Sequence, residues 1–414
     1  MTTFSADQAV EFTQIANGPG VVSEQVSDAH SVAVGIWVGV GARDESEHQA
    51  GISHFLEHLV FKGTEERTAR SIAELADATG GEMNAFTTME YTAFYARFPA
   101  NKLDLAIDLL GDVLCRPALR ATDIETERQV ILEELHLAID DPTDALFGLL
   151  HEGLFPKHPL SREVIGTENS VMGLDRSALM DFHDQWYRAP NLVVAAAGAV
   201  DHQYLVERFG QVFAERQGGV SPVRSQPTLA PVVGATLQRP IEATHLAWGW
   251  LGASRLDPRR YALTLGVHIL GGGMSSRLFQ KVREERGLTY SVFATRGVFE
   301  DAGVVSIYAG TAPDRAEELA AVVAQEVAEI ADHGVTEEEL AIARSGFEGS
   351  LLLGLEDTGS RMRRLGSNQL LTGTVMPLKE LVEAFRAVTV AEINQALAEV
   401  FSVDAVTTQV GPNS

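Results

Sequence analysis

Apolar residues recur along the first half of the chain with two spacings, one typical of strands and one typical of helices. Residues 31–39 read SVAVGIWVG, and this alternating, β-branched run predicts a strand. Strands of the same character are predicted at 82–88, 93–98 and 192–197. Apolar residues spaced three to four apart predict helices at 51–61, 71–78, 102–114, 122–139 and 178–186. The pattern therefore predicts a mixed α and β protein.

Residues 217–234 interrupt this pattern with a dense run of helix and strand breakers. The breakers are Gly218, Gly219, Pro222, Pro227, Pro231 and Gly234. Few helices or inner strands persist through such a run, so the segment is predicted to be a linker.

The second half repeats the order of elements of the first. Tyr95 and Tyr308 each lie near the end of a predicted strand that a proline and a helix follow, and they are 213 residues apart. Gly198 and Gly411 close two further strands at the same separation. One offset at two landmarks predicts a duplication. We expect two homologous α+β halves, 1–216 and 235–414, each with helices packed on one face of a mostly antiparallel sheet.

Composition sets limits on the class of protein. A chain of 414 residues is too long for one ordinary core, which agrees with two domains. No apolar stretch reaches the roughly 18 residues of a membrane helix, and the first thirty residues lack the Lys and Arg of an export signal. The single cysteine, Cys115, fits a reducing compartment. We therefore expect a cytoplasmic protein without a membrane partner.

The formal net charge of −25 argues against nucleic acid as a partner, because phosphate binding needs clustered Lys and Arg. The same charge suits a cationic ligand, which favours basic peptides as substrates. Solubility and self-repulsion explain the charge equally well, so substrate preference stays open.

Candidate chemistry is concentrated in the helix predicted at 51–61. His54 and His58 lie four residues apart and therefore project from one helix face, and two neutral imidazoles on adjacent turns suit zinc. Glu57 is close to such a metal but poorly placed to bind it, as expected for the general base that takes a proton from water. A merely hydrated polar face is disfavoured, because apolar residues surround the histidines: Ile52, Phe55, Leu56, Leu59, Val60 and Phe61.

A catalytic zinc site needs a third protein ligand, and the helix predicted at 122–139 offers two candidates. Glu127 and Glu134 are seven residues apart and share one helix face. Helical periodicity alone does not choose between them.

The chain resembles the pitrilysin-type (inverzincin) zinc peptidases, in particular the branch of mitochondrial processing peptidase and its single-chain bacterial relatives. The resemblance is carried by the H-x-x-E-H segment at 54–58 and by Glu134, 76 residues after His58, within a helix that contains Glu127-Arg-Gln-Val. The segments 62–64 and 80–87 match as well. The resemblance implies that Glu134 completes a site for one zinc ion per chain and that Glu127 orients a ligand.

The second half lacks the metal-binding set. At the offset of 213, the four positions fall on Val267, Leu270, Gly271 and Phe347. The resemblance implies that this half supplies Arg283 and Tyr290, which hold the substrate backbone and help to stabilise the oxyanion. Without the resemblance, Arg283 would be interpreted as a helix-surface residue and Tyr290 as a core residue.

The resemblance also implies how the substrate binds. The two halves would close like a clamshell, and an extended peptide would pair with a sheet edge formed by Asn84, Ala85, Phe86 and Thr87. The predicted function is a zinc-dependent endopeptidase that hydrolyses extended oligopeptides or unfolded segments in a closed chamber. A homodimer and a pair with a related chain stay open as assemblies.

Two other functions compete with this prediction. A catalytically silent scaffold or partner subunit would keep the fold, but the intact motif counts against it. A metal-dependent hydrolase with a non-peptide substrate is the second, and Arg283 and Tyr290 count mildly against it.

Overall fold

The structure is a computed structural model that describes residues 10–228 and 234–412, and the chain forms two compact units. The first unit contains Glu163–Arg224, Leu351–Lys379 and the described residues up to Leu135. The second contains His136–Arg162 and the described residues of Ser225–Ser350 and Glu380–Ser414. The two long segments on either side of position 224 separate within the predicted linker. Each unit also includes a segment from the other side of that linker, which the contiguous halves of the sequence analysis did not include.

The strands of the described residues fall at the predicted places in the first half. They are β1 (Val10–Gln14), β2 (Gly20–Gln25), β3 (Ser31–Val38), β4 (Glu82–Thr87), β5 (Thr92–Pro99), β6 (Leu192–Gly198), β7 (Thr236–Gln238), β8 (Thr244–Gly252), β9 (Ser291–Val298), β10 (Gly303–Thr311) and β11 (Val406–Gly411). The four predicted strands correspond to β3, β4, β5 and β6 within one residue at each end.

The helices follow the same agreement, with each predicted helix of the first half present. They are α1 (Ile52–Leu59), α2 (Ala69–Asp77), α3 (Leu103–Cys115), α4 (Ala121–Asp140), α5 (Pro142–Leu154), α6 (Glu168–Gly173), α7 (Arg176–Trp186), α8 (His202–Val212), α9 (Arg260–Gly271), α10 (Ala316–His333), α11 (Glu337–Gly354), α12 (Thr358–Thr372), α13 (Leu378–Ala387) and α14 (Val390–Val400). None of the helices in the described part of the chain combines the length and the apolar character that crossing a bilayer requires.

The two sheets have the same strand order, which confirms the duplicated α+β fold. The first sheet runs β1-β2-β6-β3-β5-β4, and the second runs β7-β11-β8-β10-β9. Moving 213 residues along the chain takes the start of β3, Ser31, to the start of β8, Thr244. Neighbouring strands are antiparallel except β2 with β6 and, at the equivalent place, β7 with β11. The sheets are therefore mostly antiparallel, as predicted.

Strand β3 is covered on both faces. Val32, Val34 and Ile36 belong to the core that also contains residues of α1 and α3, whereas Trp37 packs with residues of α12. At Gly366 of α12 an added Cβ would lie 2.3 Å from the Trp37 ring, so this close approach requires glycine. The sequence analysis placed helices on one face of each sheet, and α12 covers the other face of the first sheet as well.

The second sheet has the same extra cover from α5. Leu150 and Leu154 of α5 lie beside Gly249 of β8 in the second unit, while Trp248 and Trp250 face the core with α9 and α14. Neighbouring residues of β8 thus point to opposite faces, each with its own helices. The α+β class stands, with a helix layer on each side of each sheet.

Candidate metal centre

Helix α1 carries the three polar residues of the predicted site on a frame fixed by apolar packing. Its buried apolar residues, which belong to the core of the first unit, are Ile52, Phe55, Leu56 and Leu59. These side chains set the rotation of the helix about its axis. His54, Glu57 and His58 therefore project together from the opposite, half-buried face.

Three side chains converge on one point beside this helix. The Oε2 atom of Glu134, on α4, lies 3.8 Å from Nε2 of His54 and 3.5 Å from Nε2 of His58. The candidate ligand atoms of the three residues all lie within 4.8 Å of one another. Two ligands about 2 Å from one tetrahedral zinc ion lie roughly 3.3 Å apart. The observed separations are close to that value, so the three side chains fit a zinc ion.

The protonation of His54 also suits a metal ligand. Burial, and after it the charge of His58, lowers the pKa of His54 to about 4. The imidazole is therefore neutral at pH 7, which is the form that binds zinc. Its Nδ1 atom is buried without a hydrogen-bond partner. A donor set of two imidazole nitrogens and one carboxylate oxygen is typical of catalytic zinc sites.

Glu127, the other candidate ligand, lies behind His58 instead of joining the three converging side chains. Its Oε2 atom is 3.3 Å from Nδ1 of His58, and its Oε1 atom is 2.6 Å from Nζ of Lys62. The carboxylate is buried, so Lys62 supplies the charge that offsets its loss of water. A carboxylate on Nδ1 fixes the tautomer of an imidazole and leaves Nε2 to face the metal position.

Replacing Lys62 by methionine should weaken zinc binding about tenfold, because the Glu127 carboxylate loses the cation that keeps it charged behind His58. Competition with a chromogenic chelator measures this affinity. Lys62→Arg keeps the cation and is the matched control, expected near the parent value. Equal zinc affinity for Lys62→Met and the parent protein would show that the ion pair does not support the site.

Glu57 is held by a hydrogen bond from the neighbouring strand. The hydroxyl of Thr87, at the end of β4, donates to Oε2 of Glu57 at 2.6 Å. Burial raises the pKa of the Glu57 carboxyl above its ordinary value, while the Thr87 hydrogen bond and the charge of His58 oppose the rise. A carboxylate with a raised pKa, one residue from the metal ligand His58, is suited to accept a proton from water.

Tyr187 lies in the wall of the same region, and the sequence analysis did not identify it. Its ring packs 6.1 Å from that of Phe94 and 4.6 Å from that of His183. Its hydroxyl is buried without a hydrogen-bond partner. Burial first, and then the charges of Glu57 and Glu45, raise its pKa. No local pattern around Tyr187 could have indicated this, because the residue follows α7 by long-range packing alone.

The four residues predicted to bind the substrate backbone lie in β4, at one edge of the first sheet. Strand β4 pairs with β5 on one side and packs near α1. Thr87 contacts Glu57, whereas Asn84 is exposed, and its side-chain oxygen accepts a hydrogen bond from the backbone N–H of Ala85. An edge strand of this kind can accept another strand.

Arg283 and Tyr290, predicted from the resemblance, contact each other in the second unit. Arg283 belongs to a π-helical turn, Phe279–Glu284. It donates to the backbone oxygen of Tyr290 at 2.9 Å, and its guanidinium carbon lies 4.6 Å from the centre of the Tyr290 ring. Tyr290 is 83% exposed, so the alternative interpretation of a core residue is wrong.

The chain is similar to known proteases over nearly its whole length. Residues 20–168 match the family described as Insulinase (Peptidase family M16), and residues 173–347 match Peptidase M16 inactive domain. A protein of Mycobacterium tuberculosis named an uncharacterized zinc protease is 42% identical over 94% of this chain and 90% of its own length. A Bacillus subtilis protein with the same description is 34% identical, over 96% of this chain and 97% of its own length.

A solved structure supports the same fold. The crystal structure of a peptidase M16 inactive domain from Pseudomonas fluorescens superimposes with a TM-score of 0.92. The match covers 98% of each chain at 22% sequence identity. Similarity at this level of identity concerns the fold. The first family match, 20–168, is the one that contains His54, His58 and Glu134.

Proposed function

We infer, from the premise that this chain belongs to peptidase family M16, that it is a zinc-dependent endopeptidase acting on extended oligopeptides or unfolded segments. The observation that carries the proposal is the convergence of His54, His58 and Glu134 within 4.8 Å, with Glu57 beside them. A scaffold that has lost activity has no need to keep both a metal-binding set and an adjacent base.

In the proposed reaction each polar side chain of α1 has a separate task. Zinc bound by His54, His58 and Glu134 would polarise the scissile carbonyl and make the attacking water more acidic. Glu57 takes the proton from that water and passes it to the leaving amine. The hydrogen bond from Thr87 keeps the Glu57 carboxylate in one orientation during both transfers.

The substrate backbone would bind along β4. This strand lies at the sheet edge, and its last residue, Thr87, contacts the proposed base. A peptide paired with Asn84–Thr87 would therefore be extended and would pass the proposed base. Folded proteins cannot supply a free strand of this kind, so we expect unfolded segments and oligopeptides as substrates.

Arg283 and Tyr290 stay predictions as residues that contact the substrate. The exposure of the Tyr290 side chain and its fixed contact with Arg283 support a role in binding rather than in packing. Location in the cytoplasm, a preference for basic peptides, and assembly with a second chain also stay predictions.

Mass spectrometry of a mixed peptide pool tests the proposed function directly. The zinc-loaded protein should cleave peptides at internal bonds, a chelator should abolish cleavage, and added zinc should restore it. An intact peptide pool after incubation with zinc-loaded protein would favour the scaffold function. Cleavage that persists in the chelator would contradict a metal-dependent mechanism.

A further inference from the structure

Helix α1 begins at a residue that cannot cap it. Gly51 precedes the first helical residue and has φ 91°, a left-handed conformation that favours glycine. An added Cβ would also lie 2.5 Å from the backbone oxygen of Ile165. The first N–H groups of a helix have no partners within the helix, and no side chain at Gly51 can supply one.

A glutamate six residues upstream supplies the missing cap. Oε2 of Glu45 accepts a hydrogen bond from the Gly51 N–H at 2.7 Å, and Oε1 accepts one from the Ser53 N–H at 2.8 Å. Glu45 is only 4% exposed. Charge-assisted hydrogen bonds at the positive end of a helix are strong, and both oxygens of this carboxylate are used. Ser53 directly precedes the proposed ligand His54.

The segment that carries Glu45 is bound to the turn between β4 and β5. The N–H groups of Ala42 and Arg43 donate to the backbone oxygens of Thr88 and Met89, at 3.1 and 2.7 Å. Thr88 follows Thr87, which donates to Glu57. The cap and this turn therefore hold the two ends of the Glu57–Thr87 contact in one frame.

Two buried ion pairs strengthen this frame on either side of the cap. Nη1 of Arg43 lies 2.7 Å from Oε1 of Glu90, which belongs to the same turn. Both oxygens of Asp44 accept hydrogen bonds from Arg224, at 2.8 and 2.9 Å. Three consecutive charged residues, 43 to 45, are thus nearly buried, and each is bound to a different part of the first unit.

We propose that Glu45 is a positioning residue for the reaction described above: by capping α1 at Gly51 and Ser53, it fixes the place of Glu57, His54 and His58 along the helix axis. The inference rests on the proposed function. It reaches beyond that function because Glu45 contacts neither the metal position nor the substrate position and acts only through the backbone of α1.

Glu45→Gln tests this role, because glutamine has the same shape but offers one acceptor oxygen and one donor NH2 group. The NH2 group would oppose one of the two backbone N–H groups, so the helix start must shift. We expect kcat to fall about 10- to 100-fold with KM within about twofold, because displacement of catalytic groups by about 1 Å costs this much. Zinc affinity should fall about tenfold, since both histidines move with the helix.

Asp201→Ala is the matched control. Asp201 caps α8 in the same unit by accepting a hydrogen bond from the Tyr204 N–H, away from the metal centre. Its loss should lower thermal stability but leave kcat and zinc affinity near the parent values. Glu45→Asp, which keeps the charge but can reach only one N–H, is the second variant should Glu45→Gln not fold. We expect it to lie between Glu45→Gln and the parent in both kcat and zinc affinity.

The outcomes separate this inference from the proposed function. Parent kcat and parent zinc affinity in a folded Glu45 variant, even one of lower stability, would overturn the positioning role. A parent protein that binds zinc but cleaves no peptide would contradict the proposed function only. Chelator competition would then decide the role of Glu45, with a tenfold loss of zinc affinity in Glu45→Gln and none in Asp201→Ala supporting it.

Discussion

Replacing Glu57 by glutamine should lower kcat for peptide cleavage about 100- to 10,000-fold while the bound zinc stays at one ion per chain. Glutamine keeps an oxygen that can accept the hydrogen bond of Thr87, so the side chain stays in place. It cannot accept a proton, however, and the attacking water then lacks a base. The metal ligands His54, His58 and Glu134 are unchanged, which is why zinc content should not fall.

Glu133→Gln is the matched control for this substitution. Glu133 is exposed on α4, next to the proposed ligand Glu134, and its loss removes the same charge from the same region. Its kcat on a quenched fluorescent peptide should equal that of the parent, and elemental analysis should find one zinc ion in both variants. Equal kcat for Glu57→Gln and the parent would end the assignment of Glu57 as base.

The sequence was sufficient for the elements that carry the metal centre, because their hydrophobic patterns are strong. The spacing of Ile52, Phe55, Leu56 and Leu59 predicts α1, and the two histidines on its other face follow from helical geometry alone. Strand β3 was equally clear, since it is buried on both faces and is apolar at nearly every position. Short-range periodicity therefore predicts much of the frame of the site.

Periodicity did not separate Glu127 from Glu134, and the reason is geometric. The two residues lie two turns apart on α4, so both point to the same side of the helix. Only the position of α4 along α1 brings Glu134 to Nε2 of His58 and leaves Glu127 at Nδ1. That position depends on packing between distant segments, and the resemblance to a family supplied what local pattern could not.

The cap of α1 and the cover by α12 were not predictable for the same reason. A helix is normally capped by the residue before it or by one three positions away, whereas Glu45 lies six residues before Gly51. Helix α12 has a polar sequence with a narrow apolar stripe, because Gly366 lets the backbone approach Trp37 closely. In both cases a long-range contact replaces the local signal.

Replacing His58 by alanine should weaken zinc binding on the order of 100- to 1,000-fold, and activity at low zinc should be lost with it. Structural zinc sites bind with about 10–16 kcal/mol over all their ligands, and one ligand therefore accounts for a few kcal/mol. The substitution also leaves the buried Glu127 with Lys62 but without its imidazole partner. We therefore expect the metal centre, and not the fold as a whole, to be lost.

His136→Ala separates loss of a ligand from loss of any nearby histidine. His136 is exposed on α4, two residues after the proposed ligand Glu134. It should keep the parent zinc affinity in chelator competition and the parent kcat. Together with Glu57→Gln, the pair distinguishes two failures: the glutamine variant keeps zinc and loses the proton acceptor, whereas His58→Ala loses zinc itself. Parent zinc affinity in His58→Ala would place the metal elsewhere and remove the basis for both assignments.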